Sequence, residues 1–275
     1  MNPARHAAEV GLNAGGSIWV RRAKGAVLHA FPLLRRVLPS RYRPYRFAGG
    51  KIFLDVTESP MMLARALGIY ELEKTLGLQE LLRLGATFVD VGGNKGDFSL
   101  LAARRVGPTG RVLAFEPEPS NCEWIRRSVE LSGYTCVSLQ QIALGDAAGE
   151  ITLHLSGISG HHSVVGGRSD ASGNAIQVKQ RTLDAVLEET GDRRVDAIKI
   201  DVEGADLSVL RGARRALTEN PGVVVFMDVH PHLGVDALEV CRFFRELGFS
   251  LFEMRRPFTT SLEPSAGLLE LVARR

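Results

Sequence analysis

With 275 residues, 45% hydrophobic and 24% charged, the chain is long and apolar enough for one large domain or a domain with an appendage, which excludes disorder throughout. No run approaches the ~20 apolar residues of a membrane-spanning helix, and no signal-peptide core precedes a cleavage site. With three widely spaced cysteines, Cys122, Cys136 and Cys241, this predicts a reduced, cytoplasmic protein whose thiols are small buried hydrophobes.

The net charge of +3 hides an asymmetry, because residues 1–54 hold ten Lys or Arg against Glu9 alone. They read as a basic N-terminal extension, separated near Gly49–Gly50 from a domain over residues 55–275. The extension could meet a membrane surface peripherally, with residues 26–34 as a short apolar face, or be a solvated, partly helical leader. Nucleic acid is not expected as a partner, since the basic residues lack interleaved aromatic platforms and the remaining domain is acidic.

Apolar residues at 63, 67, 72, 76, 78, 81 and 82 predict one helix over residues 59–84, closed by Gly85. A buried strand carrying Phe88, Val89 and Val91 follows, then a helix opening at Asp97, a strand at 112–115, a helix at 120–131 and a strand at 136–142. Residues 150–155 and 175–180 alternate with period two, a strand pair bearing a long Gly-, Ser- and His-rich loop that is either a functional lid or simply mobile. Helices at 183–189, 206–217 and 236–247 then alternate with strands at 196–200, 223–228, 250–254 and 268–273. This order predicts an α/β fold of βαβ units around a mostly parallel sheet.

The first strand runs into Asp90-Val-Gly92-Gly-Asn94-Lys-Gly96, where glycine permits a tight turn whose backbone approaches a ligand closely. The third glycine of a dinucleotide turn is missing, and Asp90 at the mouth repels phosphate but welcomes an amine or a cation. S-adenosyl-L-methionine, with a sulfonium, an ammonium and no phosphate, fits that charge better than a nicotinamide dinucleotide. Glu116 ends the next strand, where an acid accepts hydrogen bonds from ribose hydroxyls, a feature NAD enzymes share. Ala143 and Asp146 follow the third strand; they could read an adenine ring, or Asp146 could close a turn.

Lys199, Asp201 and Glu203 alternate at the end of the fourth strand and share one side if the extension persists. Three such charges are costly to bury without a ligand, a partner or water, although an ion-pair network would also serve. Ligands of open α/β sheets bind beyond the carboxyl ends of the strands, where these residues should meet Asp90. His230, at the end of the fifth strand, could accept a hydroxyl proton as general base. Asp201, Asp228 and His230 could together hold a divalent metal, although no sequence-local ligand motif is present. His161 and His162 are further candidates for contact with a substrate.

Residues 88–99, Phe115-Glu-Pro117 and Lys199-Ile-Asp-Val-Glu-Gly-Ala-Asp206 with Val209-Leu-Arg-Gly-Ala213 resemble the FkbM-type S-adenosylmethionine-dependent methyltransferases. Ala143-Leu-Gly-Asp146, Ser163 and Thr182-Leu-Asp184 look like intermediate landmarks of that family, over about residues 65–255. Gly93 stands where the family loop usually reads Ala, Asp206 stands where Glu is commoner, and the basic leader is unexplained by the resemblance. The resemblance implies a Rossmann-like class I methyltransferase, a seven-stranded sheet with its last strand antiparallel and helices on both faces. It implies methyl transfer to a hydroxyl of a sugar, glycolipid or polyketide-type small molecule. Asp90, Gly92, Asn94, Gly96 and Phe98 would then surround the methionine part of the cofactor, with Glu116 and Pro117 at its ribose and Ala143 and Asp146 beyond. His230, Asp201 and Glu203 would carry the catalysis. A nicotinamide-dependent oxidoreductase and a non-catalytic scaffold at a membrane surface are the alternatives.

Overall fold

The computed structural model describes residues 16–38, 41–156, 162–164, 171–192 and 194–275. The chain divides into one compact unit of residues 1–43 and 54–72 and a second of residues 44–53 and 73–275. In the first, helix α1 (Gly16–Val37) ends on Arg35 and Arg36, which complement its C-terminal dipole, and leaves Leu33 and Val37 exposed. Helix α2 (Pro60–Ala66) starts where Ser59 accepts the Met62 N–H and Pro60 supplies a preset φ at the first helical position. No helix among the described residues is long and apolar enough to cross a membrane.

Strands β1 (Arg43–Phe47) and β2 (Gly50–Leu54) pair across a turn in which Ala48 and Gly49 both have positive φ. The Gly49–Gly50 step, read in the sequence as the junction between leader and core, is thus part of a hairpin. The expected helix over residues 59–84 is two helices, α2 and α3 (Leu72–Leu81), because positive φ at Gly68 and Glu71 breaks the backbone where the apolar spacing stays in phase.

Next come β3 (Thr87–Val91), α4 (Asp97–Val106), β4 (Arg111–Phe115), α5 (Pro119–Ser132) and β5 (Val137–Gln140). Glu118 caps α5 by accepting from the Ser120 and Asn121 N–H groups, and Gly133 closes it in the left-handed region. The hairpin is tied to α5, since Ser132 and Ser128 accept from the Lys51 and Phe53 N–H groups at 2.9 and 3.0 Å. The strand expected at 136–142 stops at Gln140. Beyond it β6 (Ala143–Leu144) joins β7 (Gly149–Ser156) and β8 (Ala171–Arg181) in a separate three-stranded sheet of order β6-β8-β7. The antiparallel β7–β8 pair is the one the alternation predicts. His161 and most of the connection between them lie outside the described residues.

Helix α6 (Leu183–Thr190), β9 (Ala197–Ile200), α7 (Asp206–Gly212), α8 (Arg214–Glu219), β10 (Val224–Asp228), α9 (Ala237–Glu246), β11 (Ser250–Phe252) and β12 (Glu270–Arg274) complete the chain. The helix expected over 206–217 is interrupted at Ala213. The main sheet has seven strands in the order β11-β12-β10-β9-β3-β4-β5, with β12 antiparallel to both neighbours and the pairs from β10 to β5 parallel. Alternate strand residues face opposite layers. Val89, Val91, Ile198 and Ile200 pack with α6 to α9 on one face. Phe88, Ala197 and Phe226 pack with α3 and α4 on the other. Chain order reverses at β3, whose neighbours are β4 and β9, so the crevice belongs beyond the ends of these strands.

Candidate active site

A cleft opens at that position. Gly92 and Asn94 from the β3 end, Glu116 and Pro117 from the β4 end, and Asp201 and Glu203 from the β9 end line it. Ile142, Ala143, Leu144 and Leu153 add an apolar wall from the small sheet, with His162 and Val164 beside them.

The loop after β3 is shaped by its backbone. Gly92, Asn94 and Gly96 all take positive φ, the region glycine tolerates without a Cβ clash, and the Gly92 and Gly93 N–H groups both donate to the Phe115 carbonyl at 3.0 Å. Glu116 lies against this loop, accepting from the Asn94 N–H at 2.7 Å and the Glu118 N–H at 2.9 Å. Burial pushes its carboxyl up to about 7, with these bonds opposing the rise. Asn121 supports it from α5, donating to Glu116 at 3.4 Å while accepting from the buried Lys95 ammonium at 2.9 Å.

Beneath the loop lies a buried charge pair dictated by register, since Asp90 of β3 is the direct partner of Lys199 of β9. Asp90 Oδ2 accepts from the Ser99 hydroxyl at 2.6 Å, and Oδ1 has no hydrogen bond but faces the Lys199 ammonium at 3.5 Å. Burial raises the Asp90 carboxyl above its usual range against the pull of Lys199. Lys199 donates to the Gly92 carbonyl at 2.6 Å, clamping the glycine loop to β9.

Glu203 does not continue the strand. Strand β9 ends at Ile200, Asp201 keeps one ladder bond to Val91, and Glu203 then turns back at a φ of 48°. That turn brings Asp201 and Glu203 to His230, whose Nε2 lies 3.4 Å from Asp201 Oδ1 and 4.0 Å from Glu203 Oε1. On the other side of the ring Nδ1 meets Asp206 Oδ1 at 3.0 Å. The Ser163 hydroxyl donates to the Glu203 carbonyl at 2.5 Å and fixes the turn. Asp201, although burial opposes it, is held well below the usual carboxylate range by Lys199 and His230. Burial alone would lower the His230 imidazole, but its bonds to Asp201 and Asp206 outweigh that and push it up to about 10. These carboxylates favour the protonated ring, the form that can donate to Asp201 and Asp206.

The sequence model of the methyltransferase FkbM domain matches residues 90–251. The chain belongs to the FkbM methyltransferase family. It is 32% identical over 143 residues to Methyltransferase 1 of Beauveria bassiana, covering 45% of this chain and 57% of that protein. It is 28% identical over 163 residues to the hexuronic acid methyltransferase AglP of Haloferax volcanii, covering 58% of this chain and 62% of that protein. The chain thus spans about three fifths of the length of these curated relatives. A solved FkbM methyltransferase from Methylobacillus flagellatus KT aligns at 15% identity with a TM-score of 0.46, over 90% of this chain and 58% of that one.

Of the residues expected at an FkbM cofactor site, Gly92, Asn94, Glu116, Pro117 and Ala143 line the cleft, together with the expected catalytic Asp201 and Glu203. Asp90, Gly96, Phe98 and Asp146 do not. Asp90 is the buried anchor under the loop, and Gly96 is the N-cap of α4. Phe98 is a core residue whose ring lies between the Lys74 and Lys199 ammonium groups, 5.5 and 5.7 Å from its centroid. Asp146 is exposed, its N–H bonded to the Ser208 hydroxyl. Asp228, expected beside His230 as a metal ligand, pairs with Lys74. Lys74 had a legible signal, as it shares the inward stripe of α3 with Leu78 four residues on, whereas nothing local marks Asn121.

Proposed function

We propose that the chain transfers the methyl group of S-adenosyl-L-methionine to an alcohol oxygen of a small-molecule acceptor, a hydroxyl of a sugar, glycolipid or polyketide-type compound. The observation that carries this is the meeting, in one cleft, of a Glu116-backed glycine loop with Asp201 and Glu203, behind which the buried His230 ring sits within 3.4 and 4.0 Å of their carboxylates. When bound, the cofactor supplies an electrophilic methyl on a sulfonium. Glu116 would accept from its ribose hydroxyls, and the acidic setting suits its ammonium and sulfonium charges. The acceptor oxygen bonds to the methyl carbon as the carbon–sulfur bond breaks, its proton is lost, and S-adenosylhomocysteine remains. Asp201, its oxygens facing Lys199 and His230 at 3.7 and 3.4 Å, is held deprotonated as a weak base, and Glu203 on the cleft wall, 4.0 Å from His230, takes the proton. The hexuronic acid methyltransferase relative favours a sugar among these acceptors.

S-adenosylhomocysteine at a hundredfold above its Kd should raise the unfolding free energy by about 2.7 kcal/mol, while NAD at the same concentration should leave the melting curve unmoved. Stabilisation by NAD alone would overturn the assignment in favour of an oxidoreductase.

The same ligand reports on Glu116. Only the ionised carboxylate accepts from both ribose hydroxyls, so protonation competes with binding as the pH falls through about 7. Calorimetric titration with S-adenosylhomocysteine should give a Kd about tenfold weaker at pH 6 than at pH 8, and Glu116→Ala should abolish the dependence. A flat profile in the unaltered protein would remove Glu116 from the ribose.

A further inference from the structure

The corner around His230 is built as a ligand set. Asp206, wholly buried at the start of α7, meets Nδ1 with one carboxylate oxygen and accepts the Gly204 N–H with the other at 3.1 Å. That bond fixes the ring so that Nε2 points at Asp201 Oδ1 and Glu203 Oε1, as outer carboxylates do for metal-bound histidines. Asp201 turns its remaining oxygen to Lys199 at 3.7 Å, which orients the first toward His230. Glu203 is held by its turn and by the Ser163 hydroxyl. The three ligand atoms lie within 4.8 Å of one another, whereas a six-coordinate ion at about 2.1 Å from each ligand holds them about 3–4.2 Å apart, so the side chains need only a small inward adjustment to close on an ion.

We infer that Asp201 Oδ1, Glu203 Oε1 and His230 Nε2 form a site for a divalent cation of the magnesium or manganese class. Two carboxylates, one imidazole and no thiolate favour such oxygen-preferring ions. A cation there would replace the proton on Nε2, and because Asp201 and Glu203 line the cleft it would make a hydroxyl bound beside them more acidic, for Glu203 to deprotonate. Asp206 is a positioning residue for this set. The use of the cation rests on the methyl-transfer reading; its binding does not.

Titration of the full chain with manganese chloride, followed by electron paramagnetic resonance of the free ion, should show one saturable site that magnesium displaces. Glu203→Gln should weaken it at least about tenfold, and Asp206→Asn by about 10- to 100-fold. An unchanged thermal shift with S-adenosylhomocysteine certifies that each variant is folded. If a variant does not fold, substoichiometric manganese added to the unaltered chain should broaden the His230 ring resonances. Absence of saturable binding, wild-type affinity in both folded variants, or sharp His230 signals beside bound manganese would each overturn the site. A retained S-adenosylhomocysteine shift in those cases leaves the methyltransferase reading standing, and loss of that shift in the unaltered chain overturns that reading alone.

Discussion

Lys199→Met should cost about 3–5 kcal/mol of stability, because it breaks a buried ion pair from one side only. Lys199 is 2% exposed and Asp90 is fully buried, with Oδ1 balanced by the ammonium charge at 3.5 Å and by no hydrogen bond. Methionine fills the same volume but leaves a carboxylate in the sheet without its cation, and it removes the donor on the Gly92 carbonyl. Adding Asp90→Asn to Lys199→Met should restore a large part of the loss, since no charge then stays buried alone. Urea midpoints at unchanged slope provide the measure. The folded-state pKa of Asp90 is already raised, and a raised pKa means stability present at low pH and lost as pH rises through it. The single variant's deficit should therefore grow from acidic to neutral pH. A single variant as stable as the parent would show that the pair makes no net contribution.

Gly92→Ala should be nearly as damaging, by a different route. A Cβ at Gly92 would lie 1.9 Å from the Asp201 carbonyl oxygen and 3.0 Å from its carbon, and the obstacle is backbone that cannot rotate away. The residue also sits at a φ of 79°. Overpacking of about 1–3 kcal/mol adds to left-handed strain of about 1–2 kcal/mol. Relief requires the β3 loop and the β9 turn to separate, which should abolish stabilisation by S-adenosylhomocysteine as well. Gly93→Ala is the control, with its nearest neighbour the Ile125 side-chain tip at 3.3 Å and no positive φ. Denaturation of the pair side by side decides the matter: equal stability of the two variants would refute the steric argument.

The parallel sheet and the glycine loop were legible because their signals are local. Apolar strand runs, the Asp90–Gly96 spacing and Glu116 at the next strand end each fit within a short window, and the structure brings these elements to one crevice. Helix breaks were not legible: apolar positions remain in phase across residues 67–72, and Gly68 and Glu71 interrupt the backbone without disturbing that phase. Phe98 follows the loop closely enough to suggest ligand contact, yet helix α4 turns its ring into the core. The partners that define the corner are distant in sequence, Asp206 with His230 across 24 residues, Ser163 with Glu203 across 40 and Lys199 with Gly92 across 107. Such pairings depend on strand order and register, which periodicity does not encode. Asp206, noted in the sequence only as a departure from Glu, proves to be the ring's buried partner.

The near-contact of Gly92 with the Asp201 carbonyl has a bearing on how such a protein diversifies. With no room for even a methyl group between them, the β3 loop and the β9 turn pack backbone to backbone, and no side chain can be added at Gly92 without displacing Asp201. On the proposed methyl-transfer reading, differences in acceptor fall to parts of the cleft that do not pass through this point. The segment carrying His162 and Val164, hung between β7 and β8 of the small sheet, is one such part. On the proposed methyl-transfer reading, changes at His162 and Val164 alter which acceptor fits the cleft while leaving the Gly92–Asp201 packing in place.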